Sequence, residues 1–330
     1  MRKIVYNANK ILLDEGLFYG LIQSIKGDSK LIMLGDVGQL ESIGVGNLIN
    51  DLIESKIIPH VNLTQIHRQA KKSAVALDSI KVWNGEQITE KDFYGHEIRG
   101  ELQDLELDIY KDSKNTANKI MEYFKQLYSK IDNIMDLKVI VPMKNRGDAC
   151  SLKLNNEIQT YIREIEGEPE DDICVKIGED SSIFVGDKVM NVKNNYKTVN
   201  EYGEIVGIMN GNQGIVKEIL ENNMMIIDFE RLGRVVIPSD HSRYIELGYA
   251  STCHKMQGSG IKYIICGVDN SHYKMRTKEM IYTMITRAKK YCVICAENKA
   301  LRYSISHSGS IDKQTFLVEF LQKEMLTKQI

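Results

Sequence analysis

The sequence predicts an α/β fold with a parallel sheet that is interrupted by a small antiparallel β unit. Short apolar strands alternate with amphipathic helices, which is typical of parallel sheets covered by helices. At residues 184–240 the pattern changes to alternating apolar runs separated by Asn-Gly and Gly turns, which favours a meander or a small barrel. Strand and helix then alternate again. The chain has 330 residues, enough for about two domains.

The individual elements follow from apolar periodicity and from the residues that stop strands. Gly-Asp ends an apolar strand at 30–36, and Pro142 stops another at 137–143. Two later strands are predicted at 263–268 and 291–296. Helices are predicted at 46–55, 73–83, 116–131, 147–164 and 277–290.

Composition narrows the class of protein. No stretch approaches 18 consecutive apolar residues, so we expect no membrane span. The N-terminus lacks the pattern of a secretory signal and the six Cys are scattered, so we expect a cytoplasmic protein. The pair in “CVIC” (292–295) lacks the further ligands that zinc requires, and we expect a buried strand there. The net charge of −2 does not indicate a generally basic nucleic-acid binder, but a local basic groove is compatible with it.

Three side chains are candidates for contact with a phosphate. Gln39 follows the strand at 30–36, at the sheet edge where α/β proteins bind ligands, and its amide can bond both a phosphate oxygen and an attacking water. Arg68 and Arg287 carry the permanent charge that phosphoryl transfer needs. The alternatives are a solvated Gln in an ordinary turn and surface ion pairs for the arginines.

The segment “YASTCHKMQGSG” (249–260) concentrates short polar side chains at the end of a predicted strand. Thr252, His254, Lys255 and Ser259 can hydrogen-bond a nucleic-acid backbone. The turn that follows, which contains Gln257 and Gly258, would allow close approach of a nucleotide. For His254 alone, a structural histidine with satisfied hydrogen bonds is the alternative.

Taken in series, these segments strongly resemble the later part of a superfamily 1 DNA helicase of the RecD-like type, the RecD/TraA group. The resemblance runs from about residue 11 to residue 305. It is carried by “LIMLGDVGQLESIGVGNLINDLI”, “LTQIHRQA”, “VIVPMKNRGDACSLKLN”, “VGDKVMNVKNNY”, “NGNQGIV”, “GYASTCHKMQGSG” and “IYTMITRAKK”. The blocks “HKMQGS” and “YTMITRAKK” are the most specific.

The resemblance implies two RecA-like domains with ATP and Mg²⁺ between them, and single-stranded DNA crossing both. Residues 1–70 would be the end of the first domain, 71–183 and 241–330 the second, and 184–240 an SH3-like β insert. Opening and closing of the cleft would move the strand, typically 5′ to 3′.

The resemblance also implies a role for each matching residue. Gln39 would sense the γ-phosphate, and Arg68, Gly258 and Arg287 would contact the nucleotide. Asp14 and Glu15 in “ILLDEG” resemble the pair that holds Mg²⁺, at Asp14, and activates water; exposed acids are the alternative. The residues implied in DNA contact and its coupling to the nucleotide are Pro142, Thr252, His254, Lys255 and Ser259.

The sequence departs from the family pattern at several places. It contains no G-x-x-x-x-G-K-[ST] loop, which supplies the amides and the lysine for the phosphates. Glu41 stands where the family usually has Pro, and Gly260 where it usually has an acidic residue. Residues 1–70 can supply only about two strands and two helices of the first domain, which is too little to cover both faces of its sheet. We therefore expect exposed apolar surface and open strand edges near 11–14 and 31–35. A partner chain or an upstream segment would cover them.

Two functions are compatible with the sequence, and we predict the first, with the second as the alternative. The first is an ATP-dependent DNA helicase or translocase, represented by its C-terminal portion, for which Gln39, Arg68 and Arg287 argue. The second is a module that binds single-stranded DNA or a protein without hydrolysing ATP, for which the missing phosphate loop argues.

Overall fold

The computed structural model describes residues 2–7, 14–40, 44, 46–63, 70–167, 173–178, 181–256, 260–309 and 315–328. Several candidate residues, Arg68, Gln257, Gly258 and Ser259, lie outside the described residues, as does Glu41. Their predicted roles therefore stay predictions.

The described residues up to 63 form what we call the N-terminal unit. Its elements are β1 (Arg2–Asn7), α1 (Glu15–Ser24), β2 (Ser29–Leu34) and α2 (Leu48–Glu54). β1 and β2 pair in parallel, and β2 has no second neighbour among the described residues. α1 buries none of its side chains, and Leu34 is 51% exposed. The open edge and exposed apolar side chain expected near 31–35 are present, whereas residues 11–13 lie outside the described part.

The second unit, which we call the α/β unit, is built from two stretches of the chain. The first stretch contains α3 (Ala74–Trp83), β3 (Gly95–Arg99), β4 (Leu105–Tyr110), α4 (Thr116–Tyr128), β5 (Leu137–Val141) and α5 (Ser151–Glu166). The β-insert that separates the two stretches contains β6 (Cys174–Ile177), β7 (Ser181–Phe184), β8 (Lys188–Asn191), β9 (Val199–Asn200), β10 (Gln213–Ile219), β11 (Met225–Phe229), β12 (Gly233–Ile237), α6 (Ser239–Ser242) and β13 (Ile245–Leu247). The second stretch contains β14 (Ala250–Thr252), β15 (Ile261–Val268), α7 (Lys278–Ile285), β16 (Ala288–Glu297) and α8 (Asn298–Ser306). A last helix, α9 (Leu317–Lys328), follows.

The sheet of the α/β unit has the order β14-β5-β15-β16-β4-β3 and is parallel except for β3 at one edge. Successive residues of β5 explain why helices cover both faces. Val139 packs with α4 and α5 in one core, whereas Ile140 packs with α3, α7 and α8 in the other. “CVIC” lies inside β16 with both Cys buried, which confirms the buried strand.

The β-insert is an antiparallel sheet of the order β13-β8-β10-β11-β12-β9, beside a separate hairpin of β6 and β7. In the described part of the chain its edge strands β13 and β9 do not pair with each other, so the predicted antiparallel unit is present but its closure into a barrel is not seen.

The helix predicted at 277–290 is too long. α7 ends at Ile285, and β16 begins at Ala288 because Ala288 pairs with Ile261 of β15. Pairing with a strand distant in sequence overrides the local helical pattern.

Candidate functional site

The loop that follows β2 is organised by one carboxylate. Asp36 accepts hydrogen bonds from the Gly38 amide at 3.0 Å and from Gln39 Nε2 at 3.0 Å. From the α/β unit, the Tyr282 hydroxyl donates to the same carboxylate at 3.0 Å. Asp36 therefore fixes the Gln39 side chain and ties it to α7. Sequence reasoning missed this role, although the Gly-Asp that ends the strand is its local signal.

The loop that holds Gln39 contacts Thr283, one turn before Arg287. The Leu40 amide, next to Gln39, donates to Thr283 Oγ1 at 2.8 Å. Arg287 Nε donates to the Thr283 carbonyl at 3.3 Å. Two of the three residues predicted to face a phosphate are thus brought to one cleft between the N-terminal unit and α7.

The close packing of this loop requires glycine at position 38. A Cβ there would lie 2.8 Å from Cε1 of Tyr282 and 3.1 Å from Cε3 of Trp83. These two rings are themselves tilted neighbours with centroids 5.9 Å apart. The junction of the two units therefore contains the single tryptophan of the sequence.

The cleft contains one buried positive charge, Arg287, near the Asp36 carboxylate. Arg287 is only 7% exposed, and its burial lowers the pKa of the guanidinium, while Cys253, Asp36 and Tyr282 oppose that shift. Because arginine still stays protonated at neutral pH, the cleft contains a largely dehydrated positive charge. Gln39 Oε1 is buried and has no hydrogen-bond partner among the described residues. It is an acceptor that a water or a ligand hydroxyl would satisfy.

Asp14 and Glu15 lie at the start of α1. Asp14 caps this helix, because its Oδ1 accepts from the Leu17 amide at 2.8 Å. A side chain at Gly46 would collide with the Glu15 carboxylate, whose Oε1 is buried without a partner among the described residues. Within that part of the chain, no group of three or more His, Cys, Asp or Glu could hold a metal. Mg²⁺ usually takes one or two carboxylates with waters and phosphates, so this pair fits it only in the company of a phosphate.

A second polar region lies where β5 and β14 end. These strands are parallel, with Thr252 opposite Val141, so Pro142 and the turn Cys253–Met256 emerge side by side. Pro142 itself is buried. His254 lies half-buried in the turn.

A cavity of about 260 Å³ opens beside these strand ends. Its charged lining side chains are Lys144, Arg243, Glu246 and Lys255, and Thr252 also lines it. Three positive charges against one negative charge favour an anionic occupant. Sequence reasoning found Thr252 and Lys255 but missed Lys144, Arg243 and Glu246, which lie in other segments of the chain.

Two family models match parts of the chain. The “UvrD-like helicase C-terminal domain” matches residues 247–295, and the “AAA domain” matches residues 12–102. The first match includes Thr252, His254, Lys255 and Arg287, and the second includes Gln39.

Curated relatives extend the similarity to most of the chain. The ATP-dependent RecD2 DNA helicase of Deinococcus radiodurans is 26% identical over 279 residues, which cover 84% of this chain and 34% of the relative. The chain is similar in sequence to RecD-like superfamily 1 DNA helicases. The RecBCD enzyme subunit RecD of Buchnera aphidicola is 23% identical over 87% of this chain and 55% of its own length. This RecD-like chain therefore spans about a third to a half of the length of these relatives.

A solved structure supports the fold of the RecD-like chain. The Pif1 helicase from Candida albicans matches with a TM-score of 0.50 and 13% identity, covering 100% of this chain and 77% of that one. The RecA-like α/β architecture predicted from the sequence is thereby confirmed. Among the described residues of the RecD-like chain, no helix has the length and hydropathy needed to cross a membrane.

Proposed function

We propose that this chain supplies the nucleotide-sensing cleft and part of the DNA path of an ATP-dependent DNA helicase or translocase. The observation that carries the proposal is the contact of the Gln39 loop with Thr283, one turn before Arg287, between two units of the chain. A dehydrated arginine and an amide oriented by Asp36 are two of the groups that hydrolysis of a terminal phosphate needs.

In this proposal each side chain has a defined task. Arg287 stabilises the negative charge that develops on the γ-phosphate, and Gln39 orients the attacking water. Asp14 and Glu15 would hold Mg²⁺, which when bound neutralises phosphate oxygens. Arg68 is proposed as a second phosphate contact.

Movement along DNA would come from closing and opening of the cleft. Contacts between Asp36 and Tyr282, and between Leu40 and Thr283, are made across it. Their rearrangement would shift the N-terminal unit against the strand ends at Thr252, where we place single-stranded DNA. We propose a 5′ to 3′ direction and a cytoplasmic location for this activity.

A non-catalytic module that binds single-stranded DNA is the second candidate function. The observation that favours it is the lack of a G-x-x-x-x-G-K-[ST] loop in this sequence. The two candidates share a DNA path and differ in ATP turnover.

Steady-state ATP hydrolysis tests the proposal. The chain is assayed with and without single-stranded DNA, alone and joined to an upstream segment that carries a phosphate loop, beside Arg287→Ala and the exposed insert variant Arg234→Ala. We expect DNA-stimulated turnover in the form that carries the phosphate loop, and there it should fall by about a hundredfold or more in Arg287→Ala and stay unchanged in Arg234→Ala. DNA affinity, measured by fluorescence anisotropy, should stay within about twofold in both variants.

Each other outcome has a distinct meaning. Equal loss of turnover and DNA affinity in Arg287→Ala would contradict the role of Arg287 at the phosphate. Intact DNA binding with no turnover even when the phosphate loop is supplied would favour the non-catalytic module.

A further inference from the structure

The cavity beside the strand ends is formed jointly by the α/β unit and the β-insert. Lys144 follows β5, and Lys255 lies in the turn after β14. Glu246 lies in β13, at the edge of the insert sheet next to β8. The side chains that face each other across the cavity thus come from two separate layers of the fold.

Glu246 bridges the two lysines. Lys144 Nζ lies 2.9 Å from Glu246 Oε1, and Lys255 Nζ lies 2.8 Å from Glu246 Oε2. Burial alone would raise the pKa of the Glu246 carboxyl, but hydrogen bonds from Lys255 and Lys144 outweigh it and lower that pKa. Glu246 is therefore ionised at neutral pH, and each of its oxygens accepts from one lysine, as two oxygens of a phosphodiester would.

Two further groups of the lining can contact an anion, and one of them is Arg243, whose guanidinium also lies 5.0 Å from the centre of the Tyr244 ring. Arg243 adds a third positive charge to the lining, and no carboxylate other than Glu246 lines the cavity in the described part of the chain. Ser251 is 2% exposed and lines the cavity, yet its hydroxyl has no hydrogen-bond partner among the described residues. A buried hydroxyl without a partner is rare unless a ligand or a water completes it.

We propose that this cavity is a phosphodiester pocket for single-stranded DNA and that Glu246 occupies it as a built-in competitor. The inference rests on the proposed function, because the phosphodiester is part of the DNA that the helicase would grip. An incoming backbone phosphate takes the two lysines from Glu246 and accepts from the Ser251 hydroxyl. Glu246 thus lowers the affinity for DNA, which favours release of the strand at each step of movement. Because Glu246 lies in the edge strand β13, it also couples this release to the β-insert.

Glu246→Gln tests the pocket because it removes the charge of the competitor and keeps its size. Glu218→Gln is the matched control, since Glu218 is an exposed residue of the same insert outside the cavity lining. Affinity for a labelled oligothymidylate is measured by anisotropy over a range of salt concentrations. We expect Glu246→Gln to bind about fivefold more tightly, with a salt slope steeper by about 0.7, one further phosphate contact.

A second variant locates the effect. Lys144→Gln, combined with Glu246→Gln, should abolish the gain, because the phosphate then loses one of its two lysines. An equal gain in Glu218→Gln and Glu246→Gln would overturn the pocket, since it would reflect net charge alone. Unchanged or weaker binding by Glu246→Gln would overturn it as well.

Inorganic phosphate separates failure of the pocket from failure of the proposed function. If no protein binds the oligonucleotide, the DNA part of the proposed function fails, and the pocket is judged by thermal unfolding in phosphate. A larger rise in melting temperature for Glu246→Gln than for the wild type and Glu218→Gln would retain the cavity as an anion site. Equal rises in the three proteins would overturn it. Displacement of the bound oligonucleotide by added phosphate tests whether the free anion and the DNA backbone occupy the same cavity.

Discussion

The β-insert and the N-terminal unit both contact the α/β unit, but through surfaces of different chemistry. The insert shares one continuous apolar core with it: Val189 and Phe229 of the insert pack in the same cluster as Leu137 and Phe124. The N-terminal unit instead has a small cluster around Leu48 and Leu52 that it shares with α9, and its Leu40 packs against the core of the α/β unit. Separating the insert would expose a large apolar area, whereas separating the N-terminal unit would expose little.

The hydrogen bonds at these two contacts also differ, because those of the insert are more deeply buried than those of the N-terminal unit. We call the contact between the β-insert and the α/β unit the insert joint, and the contact between the N-terminal unit and the α/β unit the N-terminal joint. In the insert joint, Asp187 is 4% exposed and accepts hydrogen bonds from the Tyr249 hydroxyl at 2.9 Å and from Gln159. Burial raises the pKa of Asp187 to about 6, against the hydrogen bonds that lower it. At the N-terminal joint, the bonds from Tyr282 and Leu40 lie in a partly buried cleft. Partly buried hydrogen bonds can be exchanged with water at small cost.

The contrast assigns different mechanical behaviour to the two joints. A joint made of a shared core moves as one body, because packed interiors do not deform continuously. A joint made of a few hydrogen bonds around Asp36 and the α2–α9 contact opens more easily. The insert should therefore travel with the α/β unit, while the cleft between Gln39 and Arg287 opens and closes.

The largest effect of this contrast is expected in the rates of amide hydrogen exchange. We expect the amides of β10 and β15 to exchange together and slowly, since both lie in extensive cores. The amides of β2 should exchange faster by roughly a thousandfold or more, because β2 has one described neighbour and an exposed apolar end. Exchange of β2 in the same slow phase as β15 would show that the N-terminal joint is as firm as the insert joint.

Buried lysines make the insert joint sensitive to pH. Lys188 is fully buried, and its Nζ donates to the carbonyls of Ile134 at 3.0 Å and Leu137 at 2.9 Å. Lys138 is fully buried too and donates to Gln213. A neutral amine has two N–H donors, which matches the two carbonyls around Lys188. Burial lowers the pKa of Lys188 from 10.5 to about 7, and burial also lowers that of Lys138.

The sign of the pH effect follows from proton binding. Since the unfolded chain binds the Lys188 proton more tightly, the free energy of unfolding should rise with pH above about 7, by about 1 kcal/mol per pH unit for Lys188. We expect urea unfolding between about pH 7 and 8.5 to show this rise in the wild type and a flatter one in Lys188→Met. The exposed control Lys217→Met should keep the wild-type slope. Identical slopes in all three proteins would mean that Lys188 is not buried in this joint.

Local sequence patterns predicted the helices and strands that have a clear apolar pattern within their own residues. The apolar spacing in α4 and the buried run of β5 were sufficient to place both. Pairing between distant segments was not encoded locally, and the helix predicted through Lys290 failed because residues 288–290 join β15. β3 and β4 were not predicted, and no strong alternation marks the exposed edge strand β3.

The candidate site shows the same limit. Gln39 and Arg287 were predicted as phosphate contacts from their side-chain chemistry and from the strand or helix beside each. The structure places both at the cleft between the N-terminal unit and α7. Asp36 was missed because its role depends on Tyr282, which is 246 positions away. Glu246 was missed because a single acid in a short strand resembles any solvent-exposed residue until Lys144 and Lys255 are placed beside it.

The smallest effect is expected at Gly38, where only the N-terminal joint should respond. In Gly38→Ala the new Cβ would overlap the rings of Tyr282 and Trp83, so the loop must withdraw from α7. We expect a change in the fluorescence of Trp83, the single tryptophan, and a loss of about 1 kcal/mol or slightly more at the joint. Unfolding of the α/β unit should shift by less than about 0.5 kcal/mol.

Gly20→Ala is the matched control, since a Cβ at Gly20 meets nothing within 4 Å and should leave Trp83 unchanged. A large loss of global stability in Gly38→Ala would mean that the two units unfold as one, and the contrast between the joints would then fail. An unchanged Trp83 signal would mean that the loop does not pack on α7 in solution. A local change confined to Trp83 would establish this joint as the one that opens, because the shared core of the insert stays intact.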